Sequence, residues 1–187
     1  MKKILILLLI CPILVFSQGE VKTQINWIPL EKAKEYSKKY NKNILVFFYK
    51  EHCPYCEEMK KETLSDITIV NLINNNFFPV KIDSRTKDTI LYNGIKYSNQ
   101  QPILDGSTWR HDFYAEVATF NRQGKDMVTT PTIALFNNKF EKITIFPGKQ
   151  PKELLLRNIK PYTNGLKKYK IDRPKNTKKE KIVGELD

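Results

Sequence analysis

Residues 44–62 read ILVFFYKEHCPYCEEMKKE, and the meaning of the cysteines at positions 53 and 56 decides the rest. Ile44 to Tyr49 is a continuous apolar run rich in β-branched and aromatic side chains, with asparagine before it and charge after it. Such a run predicts a strand buried on both faces. Beyond the cysteines, Met59, Thr63 and Leu64 and then Ile67, Val70 and Ile73 recur at helical spacing, which predicts a helix running to the asparagines at 74–76. The cysteine pair therefore falls where a strand hands over to a helix N-terminus.

That position suits thiol chemistry. The thiolate is the nucleophile, and an ordinary cysteine, with a pKa near 8.5, is mostly protonated at neutral pH. The unpaired N–H groups and macrodipole of a helix N-terminus favour negative charge there, and Pro54 opens a helix without needing its missing N–H. Cys53, at the helix mouth, is expected to be exposed and nucleophilic. Cys56, nearly a turn on, is expected to be shielded and placed to resolve a mixed disulfide. His52 could steady a thiolate if protonated, whereas Lys50 and Glu51 read as surface charges.

Other uses of the pair are weaker. Zinc sites take four ligands, and His52 and His111 form no paired motif with the cysteines. A monovalent copper ion on two thiolates is chemically sound. A permanent disulfide across two intervening residues closes too small a loop to be an efficient staple. A redox-active pair is preferred.

The N-terminus, MKKILILLLICPILVFSQGE, has Lys2 and Lys3 ahead of an apolar run from Ile4 to Phe16. This reads as a signal peptide at residues 1–17, cut after Ser17, the run being short of the roughly 20 residues a spanning helix needs. Its removal takes Cys11 away and leaves Cys53 and Cys56 as the thiols of an exported, periplasmic or extracellular chain.

The formal net charge is +12, yet export argues against nucleic acid as a partner. Residues 167–187 hold eight Lys or Arg against four acids and few apolar side chains, composition that cannot offset its ordering entropy. A solvated tail is expected, although a basic tail could also meet anionic lipid or steer acidic partners.

Elsewhere, LEKAKEYSKKYNKN (30–43) predicts an amphipathic helix ended by Asn41 and Asn43, and FFPVKID (77–83) a second strand. TPTIALFNN and KFEKITIFPG predict two more strands with a turn near Asn137 and Asn138, and PKELLLRNI a last helix with Pro151 in its first turn. In the middle, TILYNGIKYS reads as a hairpin about Asn93-Gly94. WRHDFYAEVATFN reads as a helix with Phe113, Val117 and Phe120 on one face. Trp109, Tyr92 and Tyr97 read as packing for this segment rather than a protein-binding patch. The order implies an α/β fold with parallel strands first and an antiparallel hairpin last.

ILVFFY, then HCPYC opening a helix, then TPT about 75 residues on leading into IALF, then FPG and a final helix, together resemble the thioredoxin superfamily. The resemblance covers about residues 25–162. It implies a thioredoxin-like fold, a mixed central sheet flanked by helices, with an inserted hairpin-containing segment at about 84–110 of a domain spanning 18–166. It also implies a cis Thr130-Pro131 bond facing the cysteines, with Thr130 hydrogen-bonding extended substrate.

Two departures have chemical consequences. Thioredoxins bury an acid on the strand before the motif to assist proton transfer at the second cysteine, and the matching residue here is Phe47. Glu57 and Glu58 are the nearest substitutes. Pro54-Tyr55 is the glutaredoxin dipeptide, but that family's glutathione-binding features are missing.

The expectation is thus a thiol:disulfide oxidoreductase acting on protein thiols and disulfides, leaning to reduction or general interchange, with Cys53 and Cys56 catalytic. His52, Pro54, Tyr55, Thr130 and Pro131 are expected to bind substrate. It is expected to be a monomer, to need no cofactor and to be recycled by a redox partner. The competing expectations are a non-catalytic binding module on the same fold and a copper-handling thiol protein.

Overall fold

The computed structural model describes residues 23–99 and 110–163. The expected signal segment, Cys11, Trp109, most of the inserted segment's second half and the basic tail at 167–187 lie outside the described residues.

Helix α1 (Leu30–Tyr40) stops at Asn41, whose φ of 52° is the left-handed conformation that asparagine tolerates. Strand β1 (Ile44–Tyr49) follows, buried from Ile44 to Phe48. The predicted single helix after the cysteines is two: α2 (Pro54–Glu62) and α3 (Ile67–Asn76). The break has a physical cause. The carboxylate of Asp66 accepts the N–H groups of Thr68 and Ile69 at 2.9 and 3.3 Å and so starts a new helix. Strand β2 (Phe78–Asp83) completes this half.

The middle segment contains the expected hairpin, β3 (Ile90–Tyr92) with β4 (Ile95–Tyr97). Asn93 and Gly94 have φ of 50° and 80°, as a tight two-residue turn requires. Helix α4 (Asp112–Ala118) is shorter than the sequence predicts. Phe120 is not on its face but opens a second hairpin, β5 (Phe120–Arg122) with β6 (Lys125–Met127), turning at Gln123-Gly124. Tyr92 packs edge-on to Phe113, 5.3 Å between ring centres, so it is core packing, as expected.

Strands β7 (Thr132–Phe136) and β8 (Lys142–Pro147) precede α5 (Lys152–Ile159), which Pro151 caps from outside rather than occupying its first turn. A 3₁₀ turn, Lys160–Tyr162, ends the described chain.

The central sheet has the order β2-β1-β7-β8, with β1 parallel to β2 and the remaining pairs antiparallel. Each face is covered. Ile44, Val46 and Phe48 of β1 point to one core with α1, α4 and the β3 hairpin. Leu45 and Phe47 point to a second core with α2, α3 and α5. Full coverage on both faces is why β1 reads as an unbroken apolar run. It also fixes the end of β1, and with it the cysteine motif, at the middle of the sheet edge.

Candidate active site

The chain leaves β1 at Tyr49 and turns sharply at Glu51 and His52, where His52 adopts a φ of 54°. Cys53 then sits at the N-cap of α2 in extended conformation, φ −99° and ψ 108°, with Pro54 at the first helical position. Its Sγ accepts the N–H of Cys56 at 3.3 Å, the bond a capping side chain makes. Both cysteines are unbridged. His52, Pro54 and Tyr55 are exposed around them, Tyr55 by 65%.

The opposite wall is the loop entering β7. The Thr130-Pro131 peptide is cis, and Gly148 donates its N–H to the Pro131 carbonyl at 2.8 Å, tying the loop to the end of β8. Cys53 donates to the Thr130 carbonyl at 3.7 Å, and its Sγ lies 3.8 Å from the Thr130 hydroxyl. These contacts correct one expectation: Cys53 is not an exposed thiol but retains 6% exposure, because Thr130 stands over it. Cys56 is fully buried, so the order of shielding is as expected.

Burial chiefly, and then a hydrogen bond to Cys53, push the Cys56 thiol up to about 12, while hydrogen bonds from the Lys50 backbone and Thr130 pull it down. Among the described residues no carboxylate acts on this thiol, so none stands beneath it to take its proton. Phe47 is buried and stacked between Trp27 and Tyr49, with ring centres 6.0 Å from each. Glu57 and Glu58 are engaged elsewhere: Glu57 pairs with Lys60 at 2.8 Å, and Glu58 pairs with Lys149.

What does reach the pair comes from α4. Tyr114, 1% exposed, packs at a tilt against Phe48, 5.1 Å between ring centres, and its hydroxyl lies close enough to feel both cysteines electrostatically. Burial raises its pKa, opposed by Arg110 and by a hydrogen bond with Thr132. Sequence reasoning missed Tyr114, because its relation to Cys56 comes from packing and not from spacing. Lys50, read as a surface charge, lines a cavity of about 220 Å³ together with Tyr114, Thr130, Arg85 and Arg110.

His111 has a structural task instead. Fully buried, it caps α4 by accepting the Phe113 N–H at 3.1 Å through Nδ1, which leaves Nε2 to donate to the Asp88 carbonyl at 2.8 Å. Among the described residues no three His, Cys, Asp or Glu side chains cluster as metal ligands would. Among them, too, no helix is long and apolar enough to cross a membrane.

The fold is shared with known structures. The oxidoreductase DsbH superposes with a TM-score of 0.53 at 14% identity, over 80% of this chain and 92% of that one. A thioredoxin from Thermus thermophilus superposes with a TM-score of 0.52 at 20% identity, over 75% of this chain and 87% of that one. No curated protein is similar enough in sequence to count as a match. Residues 30–161, from the start of α1 to the turn after α5, match the thioredoxin-like domain family, and the chain belongs to that family.

Proposed function

We propose that the protein is an exported thiol:disulfide oxidoreductase whose Cys53 and Cys56 exchange disulfides with protein substrates. The observation that carries this reading is the placement of two unbridged thiols at the mouth of α2. One caps the helix and faces Thr130 at 3.7 Å, and the other lies buried behind it.

In the reducing direction, the Cys53 thiolate attacks one sulfur of a substrate disulfide. An S–S bond forms between Cys53 and substrate, the substrate S–S bond breaks, and the departing sulfur takes up a proton. Cys56, once deprotonated, attacks Cys53 Sγ and releases the second substrate thiol, leaving a Cys53–Cys56 disulfide. Two electrons pass to the substrate. The reverse sequence oxidises dithiols, and the direction depends on the pair's potential against its compartment, where 30 mV corresponds to ~1.4 kcal/mol. The reducing or interchange direction is favoured here.

In this reading Thr130 meets the substrate backbone, and Pro131 with exposed His52, Pro54 and Tyr55 completes the face around Cys53. The leader-like residues 1–17 support export, and residues 167–187 serve as a basic tail. Insulin reduction by the mature chain tests the reading: wild type is active and Cys53→Ser inactive. Equal rates for the two would overturn it.

A further inference from the structure

The cavity beside the cysteines is cationic. Lys50, Arg85 and Arg110 line it, with Ser84, Tyr114 and Thr130 supplying hydroxyls, and among the described residues no acid is part of its walls. Thr130 is shared: it lines the cavity, and its hydroxyl lies 3.8 Å from Cys53 Sγ, so the cavity opens one residue away from the reacting sulfur. Arg85 is already engaged within the chain. Among the described residues neither Lys50 nor Arg110 forms an ion pair with a carboxylate. The two lie far apart in sequence, one after β1 and one before α4, and the fold brings them to one opening.

We propose that Lys50 and Arg110 form a carboxylate-binding subsite that makes protein disulfides flanked by an aspartate or glutamate the preferred substrates. This rests on the oxidoreductase reading and deepens it. The chemistry is convergent: a guanidinium and an ammonium satisfy a carboxylate's lone pairs with charge-assisted hydrogen bonds, and nearby hydroxyls complete the shell. Size favours a side chain over a whole small molecule, since about 220 Å³ falls below the roughly 300–1,000 Å³ of ordinary ligand pockets. The exchange step is unchanged. The subsite only holds the residue next to the attacked sulfur while the Cys53–substrate bond forms.

The test is a single-turnover reduction of three peptide disulfides by pre-reduced full-length protein. The peptides differ only in the residue beside cysteine, which is Glu, Gln or Lys, and glutathione disulfide serves as a fourth substrate. Expected rates fall in the order Glu, Gln, Lys, with Glu over Gln by about three- to tenfold at low ionic strength. Added salt should shrink that ratio. In Lys50→Gln/Arg110→Gln the Glu-to-Gln ratio should fall toward one, whatever the absolute rates. Arg110→Glu, a change at an exposed residue, should favour the Lys peptide and keeps the test decisive if the double variant misfolds. Equal wild-type rates on Glu and Gln peptides would overturn this inference while leaving the oxidoreductase reading intact. So would a ratio that survives both variants, or glutathione disulfide outrunning the Glu peptide. Failure to reduce any of the four substrates would overturn the oxidoreductase reading, and the inference with it.

Discussion

Phe47 and Phe48 are neighbours on β1, yet they face opposite worlds. Phe47 lies in an apolar core, stacked between Trp27 and Tyr49 and packed among α2, α3 and α5. Phe48 looks the other way, onto Tyr114 and Phe113 of α4. Only the second face carries a polar group toward the cysteines. A strand's alternation thus separates two tasks: one face is spent on packing, and the other links the core to the chemistry. Polar assistance to Cys56 comes from the Lys50 backbone and Thr130, not from an acid on the Phe47 side, while Tyr114 on the Phe48 side lies near enough for both cysteines to raise its own pKa.

The harshest way to break this contrast is to put the acid back. Phe47→Asp removes a buried aromatic and buries a carboxyl in its place, each a recognised large cost. The expected loss is about 3–5 kcal/mol in denaturant unfolding, whereas Phe47→Leu should cost less and leave thiol exchange intact. If Phe47→Asp is tolerated without loss of stability, the Phe47 face is not a closed apolar core.

The second effect concerns Cys56. Its thiol is pushed up to about 12, so at neutral pH it is protonated and the thiolate fraction grows about tenfold for each pH unit. Resolution of a Cys53 mixed disulfide should therefore accelerate steadily from pH 7 to pH 9 in stopped-flow measurements, without a plateau near neutrality. Stability has the opposite dependence. Between 9.0, the ordinary value, and about 12, the unfolded chain has lost the Cys56 proton that the folded chain still holds. The unfolded state then binds fewer protons, and stability of the reduced protein falls as pH rises through that window. Cys56→Ser should lose less over the same range in thermal melts.

Much of this geometry was legible in the sequence. The unbroken run Ile44–Phe48 announced a doubly covered strand, Asn93-Gly94 announced its turn, and the resemblance to the thioredoxin superfamily implied that Thr130-Pro131 faces the cysteines. What was not legible follows two physical patterns. Local signals were masked by stronger ones: the Asp66 cap was hidden inside continuous helical spacing, and the Gln123-Gly124 turn lay between strands too polar to alternate. Other features exist only after long-range packing. Tyr114 and Arg110 reach the site because α4 crosses the sheet, and no spacing rule connects position 114 to position 56.

Tyr114→Phe sharpens the contrast by removing one hydroxyl and keeping the ring that packs on Phe48. Losing the buried hydroxyl's polar contact beside Thr132 should cost no more than about 1 kcal/mol. Mixed-disulfide resolution should slow by about two- to fivefold, because the nascent Cys56 thiolate loses a nearby dipole. A variant with wild-type resolution kinetics and reduced stability would make Tyr114 a packing residue and nothing more.

The smallest expected effect lies where the two faces of β1 end. His52 adopts a φ of 54° immediately before Cys53, a conformation that costs ordinary residues about 1–2 kcal/mol. Histidine tolerates that region better than most, and β-branched residues tolerate it worst. Glycine removes the steric cost but adds freedom to the unfolded chain, so the two contributions nearly cancel. His52→Gly should thus change stability by no more than ~0.5 kcal/mol, whereas His52→Val should lose about 1–2 kcal/mol. Because this turn aims Cys53 at Thr130, the valine variant should also slow the first exchange step. If valine proves as stable and as fast as histidine, the turn is not held by its backbone conformation, and the Thr130 wall must position Cys53 alone.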